Sequence, residues 1–265
     1  MIKKALLILL FPFISACVPE IPDSIKNILV PEKQRELISD GLSPKVLFEI
    51  AKEQERNGET DAAISSYKKI QAAYPSSKYA IQSKLEVIYA LYKRERFDEA
   101  IDALNDYIKI YPQHFSTPYA YYMRGLISGA KSESILDEFE ITDNAQRDVK
   151  SVKDAFKYYL ALIEKFPESE YANEAKTKLI ILRNILARHE LYIAIYYAKT
   201  NAFIASISRC NYIIETFPNT PSVPAALHLL ASNYKKIGAD DLAKDANRVL
   251  SASYPKYTPH YSLED

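Results

Sequence analysis

Hydrophobic residues recur at helical spacing along most of the chain, and an aromatic-proline pair interrupts this pattern five times. The five pairs are Tyr74-Pro75, Tyr111-Pro112, Phe166-Pro167, Phe217-Pro218 and Tyr254-Pro255. Because proline lacks the backbone N–H and biases the preceding residue away from the α region, each pair predicts the end of a helix. The pattern therefore predicts a series of helices between about residues 43 and 256.

A small residue stands twelve positions before each of these prolines. The five small residues are Ala63, Ala100, Ala155, Ser206 and Ala243, and the fourth positions after them hold Tyr67, Leu104, Tyr159, Cys210 and Asn247. This order is typical of the second half of the tetratricopeptide repeat, a helix-turn-helix unit of about 34 residues. Two helices pack closely where one presents a small side chain, and the larger residue fills the adjoining space. The predicted fold class is all-α, a tetratricopeptide-like α-solenoid of about five helix pairs, or roughly ten helices.

The intervals between the prolines are uneven, at 37, 55, 51 and 37 residues. Residues 131–148 contain six acids, which predicts an acidic insertion in the third repeat, either a binding loop or a solvated one. Tyr171 to Lys199 contains neither proline nor glycine, so the 14 extra residues of the third interval predict a helix lengthened by about 21 Å. Asn57-Gly58 and Ile237-Gly238 predict the turns inside the first and fifth repeats.

The beginning of the chain has the pattern of an export signal. Met1–Lys4 is basic and the ten residues after it are mostly apolar, a stretch shorter than the roughly 20 residues of a membrane-spanning helix. The string Ile14-Ser15-Ala16-Cys17 resembles the bacterial lipobox, which implies cleavage before Cys17 and acylation of that cysteine. The alternative is a plain secreted protein with an incidental cysteine. Residues 1–16 are the predicted signal peptide, and residues 17–42 the predicted lipidated N-terminus and tether.

Composition excludes several classes of function. Lys+Arg and Asp+Glu are equal at 34 each, so there is no electrostatic case for nucleic acid. The chain has only 5 glycines, which argues against β-rich folds with many tight turns and against glycine-rich phosphate loops. Cys210 is the only cysteine besides Cys17, and its apolar neighbours at helical spacing predict a buried structural thiol.

No sequence motif indicates catalysis. The four histidines are isolated, and His189-Glu190 lacks the second histidine of the zinc-protease motif because the chain has Ile193 there. We therefore predict no catalytic residues, no metal site and no cofactor. A solenoid of this kind instead binds extended peptides or partner domains along its curved face.

The first helices of successive repeats line the concave face of a tetratricopeptide array. Counting back from the prolines gives seven candidate groove residues: Phe48, Lys52, Arg56, Leu85, Tyr89, Tyr92 and Lys93. Aromatic surface beside positive charge suits a peptide that ends in an aromatic residue with a free carboxylate. The alternative is that most of these aromatic residues belong to the core between repeats.

The lipobox and the five repeats together resemble the BamD family of outer-membrane assembly lipoproteins. The segment Tyr121–Leu126, with the sequence YYMRGL, is similar to a Y-x-M-R-G-L segment of that family, and Leu182–Tyr197 is similar to its long-helix signature. Arg209, nine residues before Pro218, matches the arginine through which the family docks on a POTRA domain of BamA. The resemblance extends over about residues 40–255.

The resemblance implies a non-enzymatic scaffold, held by its lipid anchor at the periplasmic face of the outer membrane. It implies that residues 43–130 are N-terminal repeats that recognise the C-terminal signals of unfolded outer-membrane proteins. Residues 149–256 would then be the C-terminal repeats that dock BamA, followed by a tail over residues 257–265. Other Bam lipoproteins are further expected partners. Arg124 is expected to support the fold, by pairing with the acidic insertion or by capping carbonyls.

Two other classes of periplasmic repeat protein remain open at this point. One coordinates cell-wall synthesis with envelope constriction and also has strings such as YPSSKYA at Tyr74–Ala80, but it usually has a plain signal peptide. The strings at Tyr121–Leu126 and Leu182–Tyr197 would be unexpected in that class. The other is a pilus-assembly lipoprotein, which would have regular units of about 34 residues without the insertion or the long helix.

Overall fold

Ten α-helices form the regular structure of the described part of the chain. The computed structural model describes residues 41–138 and 149–259, and the side chains of all of these except 132–138. The helices are α1 (Pro44–Arg56), α2 (Thr60–Ala73), α3 (Lys78–Lys93), α4 (Phe97–Ile110), α5 (Thr117–Glu138), α6 (Lys150–Lys165), α7 (Ala172–Lys199), α8 (Phe203–Thr216), α9 (Ser222–Lys236) and α10 (Asp240–Ser253). Neither of the two described ranges contains a strand, so the all-α prediction is confirmed.

Consecutive helices pack against each other along the whole array. They form five pairs, α1/α2 through α9/α10, and each pair is one repeat. In addition α1 contacts α3, and α7 contacts α9, so at both ends of the array the first helices of neighbouring repeats also touch. This is the arrangement of a solenoid, in which each repeat buries its apolar face against its neighbours.

The small residues that define the repeat are buried in the core. Four of them are completely buried: Ala63, Ala100, Ala155 and Ser206. The residues four positions later are buried as well: Tyr67, Leu104, Tyr159 and Cys210. Asn247 is the exception and is exposed, because α10 is the last helix of the described array and its outer face has no following repeat to cover it.

The aromatic-proline pairs end the second helix of every repeat, as predicted. Each aromatic residue is the C-cap, with φ between −121° and −136° and ψ between 49° and 60°. These angles lie outside the α region, because the proline ring that follows clashes with a helical conformation at the residue before it. The start of α1 is also determined locally, since Ser43 Oγ accepts from the Val46 N–H and Pro44 occupies the first helical position.

A residue with left-handed backbone geometry links the two helices in four of the five repeats. Gly58 and Gly238 have φ of 80° and 77°, and Glu95 and Asn201 stand 37 residues from them with φ of 56° and 59°. Glycine adopts this geometry without steric cost, whereas other residues do so at a cost of about 1–2 kcal/mol. The turns in the second and fourth repeats have the same backbone geometry but contain no glycine that would have predicted them from the sequence.

Three clusters of buried residues follow one another along the array. The first is formed mainly by α1–α5, the second by α5–α7 and the third by α7–α10. The two longest helices, α5 with 22 residues and α7 with 28, contribute to two clusters each. At a rise of about 1.5 Å per residue, α7 is about 42 Å long. This confirms that the 14 extra residues of the third interval lengthen a helix.

The interval predicted as an acidic insertion begins as helix. Helix α5 continues to Glu138, so the first eight of residues 131–148 extend it, because no proline or glycine interrupts the chain between Ala130 and Glu138. Lys131 Nζ lies 2.5 Å from an Asp98 carboxylate oxygen and ties this extension to α4. Residues 139–148, which hold the rest of the predicted insertion, lie outside the described residues.

A buried chain of hydrogen bonds joins α7, α8 and α9. The Asn233 side-chain amide donates to Ser206 Oγ at 2.7 Å, and the Ser206 hydroxyl donates to the Ala194 carbonyl at 2.7 Å. Ser206 and Asn233 are 0% and 1% exposed. The fourth repeat has serine where the other repeats have alanine because the hydroxyl satisfies two polar groups that burial would otherwise leave unpaired.

We expect Ser206→Ala to lower the free energy of unfolding by about 2 kcal/mol, because the Asn233 amide and the Ala194 carbonyl both lose their partner. Urea denaturation followed by circular dichroism measures this difference. Ser83→Ala is the matched control, since the Ser83 hydroxyl is equally buried but has no hydrogen-bond partner. The two substitutions having the same effect would contradict the assignment.

Burial raises the pKa of the Cys210 thiol to about 12, which agrees with the predicted structural thiol. At pH 8 about one such thiol in ten thousand is ionised, against about a quarter of ordinary exposed thiols. In a chain carrying Cys17→Ser, we expect iodoacetamide to leave Cys210 unmodified at pH 8 until urea unfolds the protein, as measured by mass spectrometry. Alkylation of the folded chain at the rate of the unfolded chain would refute this expectation.

Candidate functional site

A groove of about 840 Å³ lies between α3 and the beginning of α5. We call it the aromatic groove. Its lining is Lys78, Tyr79, Ile81, Gln82, Leu85, Glu86, Tyr89, His114, Phe115, Ser116 and Tyr119. The groove lies on the first helices of the second and third repeats, which is the face where an extended peptide binds in an array of this kind.

Two aromatic side chains of the groove are unusually open to solvent. Phe115 is 88% exposed and Tyr89 is 39% exposed. The Phe115 ring lies 4.4 Å from the imidazole of His114, centroid to centroid. His114 Nδ1 accepts from the Ser116 N–H at 3.3 Å and from the Tyr107 hydroxyl at 3.0 Å. The turn that presents Phe115 is therefore fixed by hydrogen bonds to the buried end of α4.

Lys52, one of the three cations expected in the groove, is already paired. Lys52 Nζ lies 2.9 Å from Glu55 and 3.0 Å from Glu86, and Glu86 lines the groove. Burial disfavours the charged form of Lys52, but the hydrogen bonds to Glu55 and Glu86 outweigh it and raise the pKa of the amine. Lys52 therefore remains charged without being available to a peptide carboxylate.

The structure places two of the seven candidate groove residues in the lining of the aromatic groove and the other five elsewhere. Leu85 and Tyr89 line the aromatic groove. Phe48 does not, because it is a core residue, 6% exposed and packed between the rings of Tyr67 and Tyr79 at 5.5 and 5.6 Å.

The other candidates also lie away from the groove lining. Arg56 is exposed and pairs with Glu53 on its own helix, because a residue three positions away lies on the same face of a helix. Tyr92 is half-buried, 6.3 Å from the ring of Tyr89, and lines a neighbouring pocket. Lys93 is exposed at the end of α3.

Phe115 is the most exposed aromatic residue among the groove residues that sequence reasoning missed. Three positions after the prolines the other repeats have Lys78, Glu170, Pro221 and Thr258. A large aromatic residue at this position in the second repeat is out of pattern, and this departure was the available signal.

Arg209, the expected docking residue, forms an ion pair inside the fourth repeat. One of its guanidinium nitrogens lies 2.9 Å from a carboxylate oxygen of Glu190 on α7. The Glu190 side chain is only 10% exposed, whereas that of Arg209 is 41% exposed. Arg209 thus neutralises a buried carboxylate, and its guanidinium retains further N–H donors on an accessible surface.

Arg124 lies against aromatic rings. Its guanidinium carbon is 4.0 Å from the centroid of the Tyr158 ring and 5.8 Å from that of Tyr121. Lys165 lies over the other side of this cluster, 5.1 Å from the Tyr121 ring, and donates to the Tyr121 hydroxyl at 2.8 Å. Cation–π contacts of this kind hold α5 against α6. Of the six acids expected to pair with Arg124, three lie in residues 139–148, outside the described part of the chain, and the side chains of the other three also fall outside the described residues.

The long helix is fixed at two levels. Near its middle, Arg183 donates to the carbonyl of Pro218 in the turn between α8 and α9, and two turns later Glu190 binds Arg209. The string Leu182–Tyr197 therefore combines buried apolar positions with two polar links, one to α8 and one to the turn that follows α8.

Two further observations concern anchoring and metals. No helix within residues 41–138 and 149–259 is long and apolar enough to cross a membrane. Cys17, the predicted lipidation site, lies outside these ranges. Among the residues that the structure describes, no three His, Cys, Asp or Glu side chains come together in a way that could hold a metal ion.

Comparison with known proteins identifies relatives over most of the chain. A family of outer membrane lipoproteins, YfiO, matches residues 40–250. Outer membrane protein assembly factor BamD of Neisseria meningitidis serogroup A (strain Z2491) is 32% identical over 219 residues, which is 83% of this chain and 82% of that protein. The factor of the same name from Xylella fastidiosa (strain Temecula1) is 31% identical over 218 residues, 82% of this chain and 74% of that protein. The crystal structure of MamA protein overlaps with a TM-score of 0.37 and 15% identity, covering 82% of this chain and 97% of that chain.

Proposed function

The chain belongs to the BamD family of outer membrane protein assembly factors, and on that premise we propose that it is a scaffold which brings unfolded outer-membrane proteins to a docked BamA. The observation that carries this proposal is the aromatic groove, with Phe115 and Tyr89 exposed on its wall. A scaffold needs surfaces and no reacting groups, so we assign no catalytic step to the protein.

The aromatic groove is the proposed binding surface for the C-terminal signals of unfolded outer-membrane proteins. Exposed aromatic rings bury large apolar areas at a small cost in side-chain entropy. The solvent exposure of Phe115 is unfavourable for an isolated protein and is removed when an apolar segment covers it. An unfolded chain offers such segments in extended form, and a groove of about 840 Å³ has room for several residues.

The C-terminal repeats are the proposed docking surface for a POTRA domain of BamA. Arg209 is the proposed contact, because its guanidinium keeps accessible N–H donors besides the one that binds Glu190. A planar guanidinium held in place by a buried carboxylate is preorganised for a carboxylate or carbonyl of the partner. Other Bam lipoproteins are further proposed partners.

The proposed anchor is the acylated Cys17, which places the array at the periplasmic face of the outer membrane. Each buried methylene of an acyl chain contributes about 0.8 kcal/mol, so that two or more chains give stable attachment. The tether of residues 17–42 then sets the distance between the membrane and the first repeat.

The groove assignment is tested with a synthetic peptide that ends in phenylalanine and with the mature chain carrying Cys17→Ser. We expect Phe115→Ser to weaken binding about tenfold, because a central aromatic contact is typically worth more than 1 kcal/mol. Isothermal titration calorimetry gives the dissociation constants. Ile204→Ser is the matched control, since Ile204 is 67% exposed on α8, away from the groove.

Equal affinity in Phe115→Ser and in the unsubstituted chain would exclude the groove as the signal-binding surface. Equal weakening in Phe115→Ser and Ile204→Ser would mean that the peptide adheres to any exposed apolar side chain. Only selective loss in Phe115→Ser supports the proposed function.

A further inference from the structure

A second, smaller pocket lies further along α3, towards the C-terminal end of that helix. It has a volume of about 210 Å³ and is formed between α5, α6 and α7 beside the end of α3. We call it the glycine pocket, because Gly125 and Gly129 of α5 form part of its wall. Apolar side chains supply most of the rest, and Ile181 at its rim is 51% exposed.

The two glycines shape the glycine pocket in different ways. A Cβ atom at Gly125 would lie 2.6–2.7 Å from ring atoms of Tyr159, so this glycine lets the Tyr159 ring approach the backbone of α5. A Cβ atom at Gly129 would meet no atom within 4 Å. Gly129 therefore borders open space in the wall of the pocket, and a side chain there would project into the room that a ligand would use.

The charge of the glycine pocket differs from that of the aromatic groove. Lys178, half-buried on α7, is the only charged side chain in its described lining. The aromatic groove contains both Lys78 and Glu86, and the amine of Lys52 is held by Glu86. A ligand with one negative charge and an apolar group is therefore complementary to the glycine pocket rather than to the groove.

We propose that the glycine pocket binds the terminal residue of a peptide, with its apolar side chain between Gly129 and Ile181 and its C-terminal carboxylate on the Lys178 amine. The proposal rests on the proposed function, since it assigns the end of the peptide whose body lies in the aromatic groove. The proposal assigns the contact with the peptide carboxylate to Lys178 on the long helix, instead of to Lys52, Arg56 or Lys93.

The spacing of the two sites fits one extended peptide. Tyr89 lines the aromatic groove and Tyr92 lines the glycine pocket, and their ring centroids are 6.3 Å apart. On α3 the lining runs from Leu85 in the groove to Tyr92 in the pocket, which is two turns or about 10 Å. An extended chain covers this distance in about three residues, so the preferred ligand has a large apolar residue at its end and another about three positions before it.

The test uses two synthetic peptides that share such a sequence and end in phenylalanine, one with a free carboxylate and one amidated. For the mature chain carrying Cys17→Ser, we expect the free acid to bind about fivefold more tightly, near the upper limit for a partly exposed ion pair. Lys178→Gln should abolish this preference and leave the amide affinity unchanged. Lys176→Gln, an exposed lysine on α7 outside the pocket, is the matched control.

Gly129→Leu tests the pocket without relying on charge. We expect it to weaken binding of both peptides by about tenfold, because the new side chain occupies the space of the terminal residue. Gly129→Ala leaves most of that space free and should raise the melting temperature by about 2–4 °C through helix propensity. A folded Gly129→Leu chain with weak binding therefore reports loss of the pocket rather than loss of the fold.

The outcomes separate the two proposals. If Phe115→Ser weakens binding while Lys178→Gln and Gly129→Leu bind both peptides like the unsubstituted chain, the aromatic groove holds and the glycine pocket is refuted as a subsite. If neither peptide binds the unsubstituted chain, the groove and the pocket fail together. If the acid preference disappears only in Lys178→Gln and Gly129→Leu weakens both peptides, the terminal residue lies where we propose.

Discussion

Replacing Arg209 by glutamate is expected to lower the free energy of unfolding by about 3 kcal/mol. The substitution removes the partner of Glu190, whose side chain is 10% exposed, and brings a second negative charge next to it. Breaking a buried ion pair typically costs about 3–5 kcal/mol, and the 41% exposure of Arg209 places this pair at the lower end. Urea denaturation at pH 7 measures the loss.

This loss of stability would obscure any test of BamA docking that used Arg209→Glu alone. The double substitution Arg209→Glu with Glu190→Arg exchanges the two charges, and we expect it to recover about half of the lost stability, because the pair re-forms in imperfect geometry. Glu190→Gln is the complementary control, since it keeps the positive charge at Arg209. The binding partner in each case is the POTRA region of BamA from the same organism.

Docking through Arg209 predicts more than tenfold weaker binding in the charge exchange and near-normal binding in Glu190→Gln, as measured by calorimetry. A contact between charged groups across an interface is often worth more than 1.4 kcal/mol, which is a factor of ten. Full binding by the folded charge-exchanged chain would show that Arg209 serves the fourth repeat and not the partner.

Gly125→Ala is expected to lower the free energy of unfolding by about 2 kcal/mol. The new Cβ would stand 2.6 Å from the Tyr159 ring, and Tyr159 is 3% exposed, so the ring would have to shift within the core or into the glycine pocket that it also lines. Forcing one extra carbon into a packed core costs up to about 3 kcal/mol, and better helix propensity offsets up to about 1 kcal/mol of this, which leaves a net loss of about 2 kcal/mol.

Gly129→Ala is the matched control, four residues away on the same helix. It should raise the free energy of unfolding by about 0.5–1 kcal/mol, because its Cβ meets no neighbour and only the propensity gain remains. Tyr159→Leu replaces the ring by a smaller side chain. Adding Gly125→Ala to Tyr159→Leu should therefore lower the free energy of unfolding by less than adding Gly125→Ala to the unsubstituted chain. Changes of the same sign in the two glycine variants would refute the close approach of Tyr159.

The helices and their stacking could be predicted because their causes are local or periodic. Proline at Pro75 or Pro112 ends a helix through its own ring, and a small residue such as Ala100 marks a close contact wherever the repeat places it. The same logic failed for Glu95, whose left-handed turn is imposed by the two packed helices on either side and not by its own preference.

Charged residues were harder to assign, because their partners come from distant parts of the chain. Lys52 is held by Glu86, 34 residues later, and Arg209 by Glu190, 19 residues earlier. Both residues look like free cations in sequence. The position of Phe48 was hard to predict for the same reason. A residue on the first helix of a repeat can face either the concave surface or a side chain of the next repeat, and Phe48 packs against the ring of Tyr79.

The sharing of α5 and α7 between neighbouring core clusters has a consequence for cooperativity. In repeat arrays with short units, stability is a sum of local terms, and terminal units can unfold while the middle remains folded. Here a break between two clusters would have to interrupt a continuous helix of 22 or 28 residues and the backbone hydrogen bonds within it. Denaturation should therefore proceed as one transition across all five repeats. A partner that binds one end of the array would then also stabilise the other end against unfolding.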